Sequence, residues 1–397
     1  MGSSPLTTKH TKLAELLENT VLILVCSLGL LVPFSLDRNI DLQGFVLLIT
    51  GCLAWVAVII RKDAPRTRLS IISYVLLAIY ITTCFISLAA HFGQQSILGA
   101  PLERLGALGL IACVGCGLAL RSVDIRRLTK WLYVTIILIA LSAIPYALIM
   151  SHSLARPGGV FAQADILAVF MGCGLLLGVS LWRNTKQYHR FLIASQLLLF
   201  AILCLTQTRA VFGILAVVFI VIILRAQLEW QKRAVLCAAL SLIIIGGAVF
   251  SSISSNRITN LGYFNESVTY RLNLQESGFK ATFEQPLLGY GAGSIENALS
   301  CKTLTDKDLL ESCNDGYYFS SSHNIFLDRA LALGWIGGIS YLLFVVICLY
   351  LGLRSKDSRI QIMTYCALLI TAYYLTNVTS LALELLFIAM LLRVSRV

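Results

Sequence analysis

Long apolar runs alternate with short polar breaks over nearly the whole chain. A helix crosses the hydrocarbon core of a bilayer with ~20 apolar residues. On that scale the runs predict spans near 20–36, 40–60, 70–90, 102–120, 130–150, 160–181, 191–207, 209–224, 234–253, 324–353, 360–376 and 379–393. One stretch breaks the rhythm. Residues 254–322 are polar, charged and glycine-bearing, with no run long enough to cross. The expected architecture is all-α and polytopic, with about twelve transmembrane helices. Residues 1–253 would supply the first nine, 254–322 a large loop with short helices, and 323–397 the last three.

The charges orient this frame. Lys and Arg collect in cytoplasmic loops. Here they cluster at Arg61, Lys62, Arg66 and Arg68; at Arg121, Arg126, Arg127 and Lys130; at Arg183, Lys186 and Arg190; at Arg225, Lys232 and Arg233; and at Arg354, Lys356 and Arg359. A pair of expected spans separates each cluster from the next, and the turns between carry little base. The alternation predicts cytoplasmic N- and C-termini and a large loop on the outer side of the membrane. It also explains the net charge of +11, which in a soluble chain would suggest nucleic acid. With 58% hydrophobic and 13% charged residues, against ~45–50% and ~25% in soluble domains, membrane lipids are the expected surroundings. No cleavable signal peptide is evident before the first run. No internal repeat or inverted pair of broken helices points to a transporter, and ionisable residues within spans are scarce, Asp165 and Glu384 being the main ones.

Within the polar segment, residues 266–283 read as an amphipathic helix with Val268, Leu272, Gln275, Phe279 and Phe283 on one face, ended by Gln285-Pro286. The run Gly289-Tyr290-Gly291-Ala292-Gly293-Ser294 lacks the Lys-Ser/Thr of a P-loop and the preceding strand of a dinucleotide site. It is either a turn that brings backbone close to a ligand or a plain loop. Of twelve cysteines, only Cys301 and Cys313 lie in this segment. In an oxidising compartment they form either a disulfide, pinning a short helix over 303–310, or two free thiols.

Basic residues on the outer side run against the topology rule, which marks them for other work. Arg209 sits in a turn so short that its guanidinium must lie at the membrane boundary. It is either functional there or snorkels to water from a helix end. His323 follows three serines at the mouth of a long run, with Asn324 next. Its free pKa of ~6.5 suits a general base near neutrality; the alternative is an interfacial residue at a helix start. Arg156, Arg209, Arg271 and His323 all reach the outer boundary, and no His/Cys/carboxylate set has metal-ligand spacing. Cationic groups beside one base suit glycosyl transfer from a polyprenyl diphosphate. Arginine forks stabilise the departing diphosphate, and the base takes the proton of the attacking hydroxyl.

Three pieces of sequence then resemble the bacterial O-antigen ligase family, in the superfamily that also holds O-antigen polymerases: Leu205-Thr206-Gln207-Thr208-Arg209-Ala210; Tyr270-Arg271 with Gln285-Pro286-Leu287-Leu288-Gly289-Tyr290-Gly291; and His323-Asn324-Ile325-Phe326-Leu327 with Leu333-Gly334-Trp335-Ile336-Gly337. The resemblance implies a metal-independent, cofactor-free glycosyltransferase of the bacterial inner membrane. It would move O-antigen from undecaprenyl diphosphate to lipid A–core. Arg209, Arg271 and Arg156 would bind the diphosphate and His323 would be catalytic, with Asn324 and Gln207 in support. A polymerase that extends a lipid-linked glycan is the alternative. The same superfamily holds bacterial protein O-oligosaccharyltransferases, and a chain that ends soon after its last expected span would resemble a ligase or polymerase more than these.

Overall fold

The computed structural model describes residues 5–28, 42–61, 67–93, 97, 106–149, 161, 163–182, 189–225, 237–238, 240–241, 245, 261–304, 306–316, 319, 321–377 and 380–395. For 5–11, 42–45, 146–149, 261–267 and 381 it describes the backbone alone. Every regular element among these residues is helical. In chain order they are α1 (Pro5–Leu28), α2 (Leu42–Arg61), α3 (Arg68–Ala90), α4 (Ala107–Leu120), α5 (Ile125–Ile149), α6 (Ala164–Trp182), α7 (His189–Thr206), α8 (Arg209–Arg225), α9 (Leu261–Ala281), α10 (Ile295–Ala298), α11 (Lys307–Asn314), α12 (Ile325–Arg354), α13 (Ser358–Tyr374) and α14 (Leu381–Val394).

Eleven of the twelve expected spans overlap a helix of this series over their described residues. The twelfth, 234–253, lies outside the described residues but for five positions. By length and composition, five helices among the described residues can cross a membrane: α3, Ile125–Pro145 of α5, α6, α7 and α12. Boundaries shift where caps override hydropathy. Thr67 Oγ1 accepts from Ser70 N at 3.1 Å to start α3, and Ser380 Oγ accepts from Leu383 N at 3.4 Å to start α14. The amphipathic helix begins at Leu261 rather than 266. The short helix of the polar segment runs Lys307–Asn314 rather than 303–310, because Asp306 caps it, accepting from Asp308 N and Leu309 N at 3.1 Å each.

The chain forms two compact units. The first holds residues 1–128, 268–364 and 374–397. Its centre is α4, whose small residues let neighbours approach closely, the packing mode open to helices in lipid. A Cβ on Gly51 of α2 would stand 2.6 Å from the Ala112 Cβ, and one on Gly117 2.8 Å from Leu392 Cδ1 of α14. Trp55 lies over Gly115 and its indole N–H donates to the Ile111 carbonyl at 3.2 Å. Around this core α3 packs on α12, and α12 on α14. The second unit holds residues 129–267 and 365–373. Here α6 is buried on nearly every side, against α7 and α8. Tyr133, Ser195 and Gln196 form its polar centre, with Tyr133 Oη 2.7 Å from Ser195 Oγ and accepting from Gln196 Nε2 at 2.9 Å.

The apolar run 324–353 reads as one helix, but α12 breaks at Gly334, whose φ of 74° and ψ of 176° leave the helical region. The break frees backbone groups, and the glycine run of the polar segment takes them up. Tyr290 N donates to Leu331 O at 2.7 Å and Gly291 N to Ala332 O at 3.1 Å, while Trp335 N donates to Pro286 O at 2.8 Å. Ser87 of α3 completes the knot: its hydroxyl donates to Ala332 O at 3.3 Å and accepts from Ala292 N at 3.2 Å. Side chains are excluded here. A Cβ on Gly289 (φ 65°) would lie 2.5 Å from Leu331 O, and one on Gly334 2.3 Å from Leu287 O. The close approach for which glycine was needed is therefore to α12. Beside it, Tyr290 Oη donates to the Glu284 carboxylate at 2.7 Å. Partial burial, then that carboxylate, hold the phenol above its usual pKa.

Candidate active site

Among the described residues only two non-glycine residues take a left-handed backbone: Gln207 (φ 53°) and His323 (φ 60°). Both were singled out from sequence. Such a conformation costs ~1–2 kcal/mol and persists only where the surroundings hold it. In each case a carboxylate anchors the turn.

At His323 the anchor is Asp328, one turn into α12 and 2% exposed. Its Oδ1 accepts from Ser322 N at 2.7 Å and from Ser322 Oγ at 2.6 Å, and its Oδ2 accepts from Ser321 Oγ at 2.7 Å. Ser321 Oγ in turn accepts from His323 N at 2.9 Å. Asn324 caps α12, its Oδ1 accepting from Phe326 N at 3.1 Å and Leu327 N at 3.4 Å. Ser321, Ser322 and Asn324 thus bend the chain from the polar segment into the helix, and the half-buried His323 stands at the bend.

Helix α9 flanks this turn. Gln275 Nε2 donates to the His323 carbonyl at 3.4 Å and to the Leu375 carbonyl at 3.3 Å. The Tyr270 ring meets the imidazole edge-on, centroids 6.2 Å apart. Arg271, next in sequence, is half-buried on the same helix. Gly278 lets α9 seat closely, because a Cβ there would lie 3.2 Å from Leu327 and 3.3 Å from Ser322. Arg271, His323 and Asn324 therefore belong to one unit and to two adjoining elements of it.

Gln207 and Arg209 belong to the other unit. Gln207 ends α7, its N–H donating to Cys204 O at 3.1 Å. Thr208 Oγ1 donates to Asp165 Oδ1 at 2.9 Å, which ties the turn to the first turn of α6. Arg209, the first residue of α8, is exposed. Arg156 lies outside the described residues. Cys301 and Cys313 are joined by a disulfide, Cα atoms 5.6 Å apart, which closes a loop around most of α11. No group of three or more His, Cys, Asp or Glu side chains among the described residues is placed to hold a metal ion.

Sequence reasoning passed over Asp328 and the partner of Arg329. Arg329 is 2% exposed, and its Nη2 lies 3.2 Å from Oε1 of the fully buried Glu384. Tyr341 Oη donates to the same oxygen at 2.8 Å, and the guanidinium stands 5.6 Å from the Tyr341 ring centroid. This buried pair fixes the first segment of α12 to α14. The signal for both residues was their cost: two adjacent charges at the start of an apolar run need partners.

Residues 194–342 match the family model described as O-antigen ligase. That stretch contains Gln207, Arg209, Arg271, His323 and Asn324. No curated protein matches the chain.

Proposed function

Through residues 194–342 the chain belongs to the O-antigen ligase family of glycosyltransferase-like enzymes, and from that premise we propose that it transfers O-antigen polysaccharide from undecaprenyl diphosphate to lipid A–core. The reaction takes place at the periplasmic face of the bacterial inner membrane, with both termini in the cytoplasm. The observation that carries this reading is the coincidence of two independent marks. The only left-handed non-glycine residues described, Gln207 and His323, both fall inside the family-matched stretch. Strain of this kind concentrates at functional sites.

In the reaction an acceptor hydroxyl oxygen of lipid A–core attacks the anomeric carbon of the donor sugar. The bond from that carbon to the phosphate oxygen breaks, and undecaprenyl diphosphate leaves with the electron pair. His323 takes the hydroxyl proton, a contribution of ~10²–10⁴ in rate. Arg209 and Arg271 bind the diphosphate and stabilise the charge that grows on it, with Arg156 as a third guanidinium. Asn324 and Gln207 hold the two turns in shape.

The test is reconstitution with undecaprenyl-diphosphate-linked O-antigen and lipid A–core in proteoliposomes. Wild-type protein should yield glycosylated lipid A–core. His323→Ala and Arg271→Ala, present in equal amount, should not. Lengthening of the lipid-linked glycan with lipid A–core left unmodified would replace the ligase by a polymerase. Full activity of His323→Ala would remove the assigned base.

A further inference from the structure

Helix α9 has three sides. Successive residues turn by about 100°, and on that wheel Leu274, Ser277, Gly278 and Ala281 point one way. All four are buried within the unit. The exposed half divides in two. Val268, Leu272 and Phe279, with Phe283 just past the helix end, form an apolar strip; Leu272 is 57% exposed, Phe279 50% and Phe283 62%. Thr269, Glu276 and Lys280 form a polar strip beside it, all exposed, with Lys280 Nζ 2.8 Å from Glu276 Oε1. The apolar face read from the sequence is thus turned away from the unit's core, and the helix packs through its small residues instead.

A continuous apolar strip of this size calls for a partner, and its neighbours indicate which. The Phe279 and Phe283 rings meet edge to face, centroids 5.2 Å apart, and each lies against Trp335, at 5.9 and 5.8 Å. Trp335 opens the second segment of α12. Along that segment Ile336, Ile339, Leu343 and Val346 are exposed at helical spacing. They form the outward side of a helix long and apolar enough to span a bilayer. The strip on α9 therefore continues the exposed apolar side of that helix, and an aromatic cluster stands at the corner. Tryptophan collects at the membrane–water boundary, and a helix with one apolar and one polar strip lies in that boundary.

We infer that α9 is an interfacial helix seated in the headgroup–acyl boundary, with Leu272, Phe279, Phe283 and Trp335 on the lipid side and Glu276 and Lys280 on the water side. Its polar strip is a neutral Glu–Lys pair, so the seating depends on apolar burial and not on anionic lipid. Because Arg271 is carried on the same helix, the depth of α9 sets the depth of that guanidinium. None of this depends on the glycosyltransferase reading.

Photo-crosslinking of the full chain tests the inference. A benzoylphenylalanine is placed singly at Leu272, Phe283 or Lys280, in vesicles of phosphatidylethanolamine and phosphatidylglycerol and in vesicles of phosphatidylcholine alone. Lipid adducts should form at 272 and 283 in both compositions and be several-fold weaker at 280. Adducts to protein at 272 and 283 would assign the strip to a protein contact and overturn the inference, as would equal lipid labelling at all three positions or labelling at none. A second measurement covers variants that insert poorly. Vesicles with acyl-brominated phosphatidylcholine should quench a share of the wild-type tryptophan fluorescence that is missing from Trp335→Phe. Identical quenching in the two proteins would place Trp335 away from the acyl chains.

Discussion

Replacing Asp328 by Ala removes the carboxylate that holds the His323 turn. Three donors lose their acceptor: Ser322 N, Ser322 Oγ and Ser321 Oγ, at 2.7, 2.6 and 2.7 Å. The hydroxyls can turn elsewhere, since Ser322 Oγ already has the Asn324 carbonyl at 3.3 Å. The Ser322 N–H cannot, and Ser322 is fully buried. An orphaned buried donor costs ~1–3 kcal/mol. The left-handed backbone of His323 adds ~1–2 kcal/mol that the Asp328 carboxylate no longer helps to offset. The native turn thus loses ~3 kcal/mol relative to a relaxed one, which is about two powers of ten in the population that presents the imidazole. With donor and acceptor in proteoliposomes, kcat should fall about 100-fold while the donor KM, set by the arginines, stays close to wild type. Asp328→Asn keeps one acceptor oxygen and should fall between. Detergent gel filtration checks that the variants insert and stay monodisperse. In a His323→Ala background the Asp328→Ala change should cost nothing further. A kcat near wild type for Asp328→Ala, alongside an inactive His323→Ala, would refute the reasoning.

Glu384→Gln should destabilise the protein by ~3–5 kcal/mol, because it strands the buried Arg329 charge; thermal unfolding in detergent measures this, and an unchanged midpoint would contradict it. Gly334→Ala places a Cβ 2.3 Å from Leu287 O at a positive φ, so the loop should leave the helix, and limited proteolysis should cut within 286–293 in the variant before the wild type. Arg209→Lys keeps charge but loses the planar fork, and should lower kcat with the protein still inserted; full activity would mean that a point charge at the boundary suffices.

Much of the helical frame is legible because an apolar run of span length leaves the backbone few other ways to satisfy its hydrogen bonds in lipid. The break in α12 was not legible: Leu333-Gly334-Trp335 sits inside an unbroken apolar run, and its cause is a loop more than forty residues upstream. The amphipathic character of α9 could be read, but not which face turns inward, because Gly278 and Ala281 bury by close approach and not by hydropathy. At the candidate site the residue types carried the signal for Arg209, Arg271 and His323. The left-handed backbone at Gln207 carried none, since glutamine does not advertise that conformation, and histidine's enrichment there is too weak to mark His323. Glu384 stood out singly, and only three dimensions join it to Arg329.

The hydrogen bonds at the α12 break run backward along the chain. Tyr290 and Gly291 are synthesised before Leu331 and Ala332, the carbonyls they bond. During biogenesis the glycine run therefore emerges with its partners still unmade, and it reaches its final shape only once α12 is in place. Until then the glycine run has no helix to close against, whereas the His323 turn, tied within residues 321–328, can close as soon as Asp328 is made.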